Sequence, residues 1–337
     1  MISELTQWPA KLEQGRVLAE DLVSAHSFVL APYNKIAFVG MGGSGIAGRI
    51  CKTLLERYSD IPVVLVDSPT VPHSVDANTL TFVISYSGNT WETLDAFATL
   101  VKREVPLVAF SHGGRLEQAA CRLYVPHVQL PLSLQPRTAL GVFLGLFVTL
   151  FCKRGVKQLA SVVADWERIA RQMMPHCVEE GWFKPALDFL QGREFFHIWG
   201  VSDDAGMAAY RGATQFNENA KVQAVFGAFP ELAHNLLVGL EQFTVRPGVL
   251  WYQTSFQSEN MKNGIQALHD MLHTAGVDLY KVPVFGDTFE SQFFSTIIWT
   301  DFASFYLAKA RGVNAERVRI IEELKQRQQS SGILVEV

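Results

Sequence analysis

At 337 residues the chain is too long for one ordinary core, and about two domains are expected. A net charge of −4 with no Lys/Arg block excludes a nucleic-acid footprint, so the ligand is expected to be small. Hydrophobic residues make up 48% and charged residues only 18%, below the roughly 25% usual for soluble domains, which points to surface covered in a homo-oligomer.

Cys51, Cys121, Cys152 and Cys177 lie too far apart for a zinc or redox pair, and reduced thiols in a cytoplasmic protein fit them best. Glu4, Glu13, Glu20 and Asp21 interrupt the first thirty residues, so no signal-peptide pattern is present there. Leu140 to Phe151 is the most apolar run. It is shorter than the roughly 20 residues a membrane span needs and reads as a core helix.

In chain order, Leu5, Leu12, Leu18 and Leu22 give residues 3–28 the spacing of a helical arm. The first α/β units follow. Strands are expected at Lys35–Val39, Pro62–Val66, Leu80–Ile84, Leu107–Phe110 and Leu123–Val128, with helices at Ile46–Tyr58 and Trp91–Lys102 and a turn at Gly40–Gly45. Residues 137–190 read as helical. A second series then places strands at Glu194–Trp199, Val249–Thr254 and Leu279–Val284, and helices at Met207–Phe216, Gly264–His273, Phe293–Ala310 and Glu316–Gln328. Such alternation implies parallel sheets covered on both faces. The expected architecture is α/β, with domains at 1–153 and 154–337; the tail from Ser330 to Val337 is either an edge strand or unstructured.

Ser85-Tyr86-Ser87-Gly88-Asn89-Thr90 joins a buried strand to a helix, and it crowds three hydroxyls beside a helix N-terminus. Unpaired N–H groups and the positive end of the helix dipole favour an anion there, although an ordinary Ser/Thr cap explains the same residues. Gly40-Met41-Gly42-Gly43-Ser44-Gly45 matches G-x-G-x-x-G, and Asp67 ends the next strand, as in a dinucleotide site. The same loop also serves a phosphosugar, with Ser44 as a hydroxyl donor, and the serine-rich turn tilts the balance that way. The corresponding second-half turn, Val201-Ser202-Asp203-Asp204, carries carboxylates that repel phosphate. One phosphate seat per chain is therefore expected. His269 and His273 have metal-like spacing but no third ligand, and no metal or cofactor is expected.

Gln215-Phe216-Asn217-Glu218-Asn219-Ala220-Lys221 and Pro230-Glu231-Leu232-Ala233-His234-Asn235 complete the pattern, together with Ser85 to Thr90 and Gln135-Pro136-Arg137-Thr138-Ala139-Leu140-Gly141. In that order the chain resembles the bifunctional phosphoglucose/phosphomannose isomerase family of the sugar isomerase (SIS) fold. The resemblance implies two flavodoxin-like, three-layer SIS lobes, and metal-free aldose–ketose isomerisation of a hexose 6-phosphate through ring opening and a cis-enediol. It puts Gly43, Ser44, Ser85, Ser87 and Thr90 on the phosphate, Arg137 on the enediolate, Glu218 as base and His234 as the ring-opening group. His234 would come from the neighbouring subunit of a homodimer, and Lys325 would assist ring opening. The chain departs from the family pattern at Trp91, Ala233 and Leu236-Leu237, and at Asn314 to Arg317.

The chemistry asks for such groups on its own terms. Proton transfer between C2 and C1 needs one base, and a carboxylate near apolar neighbours is tuned towards neutrality. Developing enediolate charge needs a cation that never titrates, and ring opening needs a group that gives and takes protons near pH 7. A sugar-phosphate sensor without turnover and a nicotinamide oxidoreductase are the competing expectations.

Overall fold

The computed structural model describes residues 1–132, 135–241 and 248–330. They form two compact units: Gln7–Val163 with the closing stretch from Val318, and Ala164–Arg317 with Met1–Thr6. Of the tail expected from Ser330 to Val337, Ser330 ends the helix Arg319–Ser330, and residues 331–337 lie outside the described residues.

The first lobe is built on β1 (Lys35–Val39), β2 (Val63–Val66), β3 (Thr79–Ile84), β4 (Leu107–Ser111) and β5 (His127–Gln129). All pair in parallel in the order β2-β1-β3-β4-β5. Every residue of β3 and β4 is buried, as expected of strands covered on both faces. One face packs Phe38, Phe82 and Phe110 against Phe147, with ring centroids 5.0–5.4 Å apart. The other packs Val39, Val83 and Ala109 against Leu94, Phe97 and Leu116, from the helices Trp91–Lys102 and Gly114–Arg122.

Three expectations change here. The helix Gly114–Arg122 was not anticipated, and Leu123 and Tyr124 form the turn after it, so the fifth strand begins only at His127. The presumed N-terminal arm is the helix Trp8–Ala25, packed along Leu140–Lys153 rather than projecting. Apolar spacing names a helix face but not its partner. The approach is backbone to backbone: a Cβ on Gly15 would lie 2.0 Å from the Val142 carbonyl oxygen, and one on Gly145 2.1 Å from that of Leu12. The most apolar stretch, Pro136–Lys153, is long and apolar enough to cross a membrane by composition, yet 78% of it is buried within the protein.

The second lobe repeats the plan with β6 (Phe195–Val201), β7 (Gln223–Phe229), β8 (Gly248–Tyr252) and β9 (Asp278–Lys281), parallel in the order β7-β6-β8-β9. β7 had no counterpart in the sequence reading, because Gly227 and alternating exposed positions mask an edge strand. The helix Glu259–Thr274 covers one face through Ile265, Leu268 and Leu272, which meet Trp199 and Trp251.

His269 of that helix stands edge-on to Trp251, and its Nε2 is buried without a hydrogen-bond partner. Burial, with Lys281 nearby, pushes its pKa from 6.5 down to about 4. Unfolding releases the ring to its ordinary basicity, so the unfolded chain takes up the proton first. Stability from this group is present above pH 6.5 and is lost as pH falls from there towards about 4. Denaturant unfolding at pH 7 and pH 4.5 should show a smaller acid loss for His269→Gln than for wild type. Equal losses would remove His269 from the acid sensitivity.

Candidate functional site

In both sheets the strand order reverses between the first and third strands, at β1/β3 and at β6/β8. In open α/β sheets ligands bind in the crevice beyond the carboxyl ends of the strands at such a point. The Gly40–Gly45 and Ser85–Thr90 segments flank that crevice in the first lobe. The helix there begins at Gly42, not at Ile46 as the spacing suggested, so Gly43 and Ser44 belong to its opening turn, in which Ser44 N–H and Gly45 N–H donate to the Met41 carbonyl at 3.0 and 3.2 Å.

The two segments are tied together. Tyr86 N–H donates to the buried Ser44 Oγ at 3.1 Å, and Ser85 Oγ donates to Thr90 Oγ1 at 3.1 Å. Asn89 N–H donates to the exposed Ser87 Oγ at 3.3 Å, while the Asn89 side chain spans from the Ser87 carbonyl to Arg115 N–H. Gly88 holds a left-handed φ of +66°, and a Cβ there would lie 1.8 Å from the Gly113 carbonyl oxygen. Any side chain at that position would force the turn open. On the other side, Gly43 abuts the Pro136–Ala139 turn: a Cβ on it would come within 3.2 Å of Arg137 N and 3.3 Å of its Cα. The Arg137 side chain is only 3% exposed and donates from Nη1 to Gln135 Oε1 at 3.1 Å. One lobe thus brings Gly43, Ser44, Ser85, Ser87 and Thr90 to the carboxyl ends of β1 and β3, with the Arg137 backbone against Gly43.

Glu218 lies in the second lobe. The helix Gly206–Gln215 does not simply continue through it; it widens into a π-turn, Phe216–Ala220, closed by Lys221 at φ +56°. Single π-turns are often found at functional sites. Both flanking asparagines are anchored. Asn217 clamps Ala224 through its carbonyl (3.0 Å) and N–H (2.8 Å), and Asn219 Nδ2 donates to Ser304 Oγ at 2.9 Å. Glu218 between them is half-buried. Beneath the turn, Arg211 forks onto Asp301 (3.1 and 2.9 Å), and Gln215 Nε2 donates to the same carboxylate at 2.8 Å.

His234 ends the short turn Glu231–His234 and is exposed, while Leu232 anchors that turn in the core. Ala233, Leu236 and Leu237 pack on the cluster around Trp199 and Trp251, so apolar residues at these positions serve packing. Glu218 precedes β7 and His234 follows it. A strand of seven residues, at about 3.3 Å each, sets them at opposite ends of the sheet, roughly 20 Å apart. The structure does not bring these two together within one chain. Lys325 lies on the exposed helix Arg319–Ser330.

Two further groups fall outside the crevice. Asp67, the acid that a dinucleotide site would use, is exposed and ion-paired to Arg49. Among the described residues, no cluster of three His, Cys, Asp or Glu side chains forms a metal-ligand set, and His273 does not join His269 in one.

Two helix-flanked parallel lobes, each reversing beside its first strand, define a two-domain SIS architecture. Residues 29–131 match the family described as SIS domain, and residues 186–327 match the bacterial phospho-glucose isomerase C-terminal SIS domain. A bifunctional phosphoglucose/phosphomannose isomerase of Thermoplasma acidophilum is 32% identical over 320 residues, covering 94% of this chain and 96% of that protein. Its Thermoplasma volcanium counterpart is 34% identical over 299 residues, covering 89% and 93%. Among solved structures, the C-terminal domain of glucosamine-fructose-6-phosphate aminotransferase from Francisella tularensis shares the fold at TM-score 0.75 and 15% identity, covering 94% of this chain and 97% of that one. The chain belongs to the SIS-domain sugar-isomerase family and is related to the bifunctional phosphoglucose/phosphomannose isomerases.

Proposed function

We propose that this protein is a cytoplasmic isomerase that interconverts glucose 6-phosphate with fructose 6-phosphate; its kinship with bifunctional isomerases raises mannose 6-phosphate as a further substrate to test. Domain 1–153 supplies the phosphate seat and Arg137, and domain 154–337 supplies Glu218 and His234; Lys325 comes from the closing helix Arg319–Ser330. The observation that carries the reading is the interlocked pair of loops. Ser44 is bonded to the backbone of the serine turn, and Gly43 lies against the Arg137 backbone, which supports anion donors and a fixed cation sharing one mouth.

In this reading Gly43 N–H and the hydroxyls of Ser44, Ser85, Ser87 and Thr90 hold the phosphate. His234, assisted by Lys325, takes the proton of the C1 hydroxyl and gives one to the ring oxygen, so the bond from C1 to the ring oxygen breaks as the C1 carbonyl forms. Glu218 then takes the C2 proton and returns it to C1, while the hydroxyl proton on O2 passes to O1 and Arg137 faces the enediolate oxygen. The placement of Glu218 and His234 at opposite ends of β7 supports a homodimer in which the histidine completes its neighbour's site.

Conversion of glucose 6-phosphate, followed by a coupled assay for fructose 6-phosphate, tests the reading. Tight binding without turnover would instead identify a sensor. His234→Ala should slow the cyclic sugar far more than an open-chain analogue, and equal slowing of both would contradict its ring-opening role.

A further inference from the structure

The two lobes place one hydrogen bond alike beside their crevices, although the helix begins at Gly42 in the first and only at Gly206 in the second. In the first, Val39 pairs with Val83, which sets Gly40 opposite Ile84; in the second, Gly200 pairs with Tyr252. Ser44 lies four residues beyond Gly40, as Asp204 does beyond Gly200. Tyr86 and Thr254 each lie two residues beyond the facing strand end, Ile84 or Tyr252. The same bond joins each pair. Tyr86 N–H donates to Ser44 Oγ at 3.1 Å, and Thr254 N–H donates to Asp204 Oδ2 at 2.7 Å.

What differs is the group that receives it. Ser44 offers a neutral hydroxyl. Asp204 offers a carboxylate, only 4% exposed, that also accepts from Thr254 Oγ1 and, at 2.6 Å, from Gln257 Nε2. Those contacts are an oxyanion's contacts, made by a side chain of the same lobe.

We propose that the β6/β8 crevice is a self-filled counterpart of the first lobe's anion seat: Asp204 stands where Ser44 stands, and its carboxylate also takes Thr254 Oγ1 and Gln257 Nε2, donors that a serine there would leave for a phosphoryl group. The sequence offered only repulsion as the reason for a single seat; the geometry makes it occupancy. Without that carboxylate the crevice becomes a receptor for a tetrahedral oxyanion such as inorganic phosphate. The inference rests on reading the first lobe's crevice as a phosphate seat.

Calorimetric titration of the full chain with inorganic phosphate at low ionic strength tests it, using wild type, Asp204→Ser, which installs the first lobe's residue, and Asp204→Asn, which keeps the crevice filled. Asp204→Ser should bind about one more phosphate per chain than wild type, and its thermal midpoint should rise more steeply with phosphate; Asp204→Asn should match wild type. If Asp204→Ser is unfolded in phosphate-free buffer, millimolar phosphate should restore its cooperative transition. An unchanged phosphate count in a folded Asp204→Ser, or an unfolded one that phosphate does not restore, overturns the inference. A wild-type count of zero would instead defeat the first-lobe reading, while the difference between wild type and variant still judges Asp204.

Discussion

Glu218→Gln is expected to lower kcat by a factor of 10²–10⁴, about 3–5 kcal/mol of barrier, with KM for the sugar phosphate little changed. The amide keeps the size and polarity of the side chain but cannot take a proton from carbon. Asn217 and Asn219 fix the turn independently of the carboxylate, so the backbone around the variant should stay in place. Loss of solvent deuterium incorporation at C2 would accompany the loss of turnover. A variant that works at the wild-type rate would remove Glu218 from the mechanism.

The largest stability effect is expected from Asp301→Ala. Arg211 and Asp301 are each 1% exposed, and the carboxylate also holds Gln215. Removing one partner of a buried pair leaves an uncompensated charge and typically costs about 3–5 kcal/mol. For a chain of this size that is on the order of 10 °C in melting temperature. Replacing both partners by apolar residues of similar volume, Arg211→Met with Asp301→Leu, should cost much less. A single variant melting within about 2 °C of wild type would refute the buried-pair account. Activity should fall alongside, because Gln215 leads directly into the Glu218 turn.

Much of this was legible in the chain. β1, β3, β6 and β8 are largely apolar runs followed by turn residues, and their reading needs little more than burial on two faces. The family followed from the turns, whereas the strand order came only with the structure. β7 was not legible, since Gly227 and exposed Gln223 and Val225 dilute its pattern. With that strand unseen, nothing in the spacing revealed that Glu218 and His234 part to opposite ends of one sheet. The π-turn was hidden for a different reason. It is fixed by Ser304 and Ala224, which local sequence cannot bring near. The clamp on Asp204 likewise depends on a loop fifty residues away.

The contact between Trp8–Ala25 and Leu140–Lys153 has a consequence for biosynthesis. The early helix leaves the ribosome well over a hundred residues before the glycines it must meet. Until they arrive, Trp8, Leu12 and Leu22 have no lining, and such nascent surfaces are what chaperones shield. Translation pauses before Lys153 has cleared the ribosomal exit tunnel would lengthen that unguarded interval, whereas later pauses would leave it unchanged.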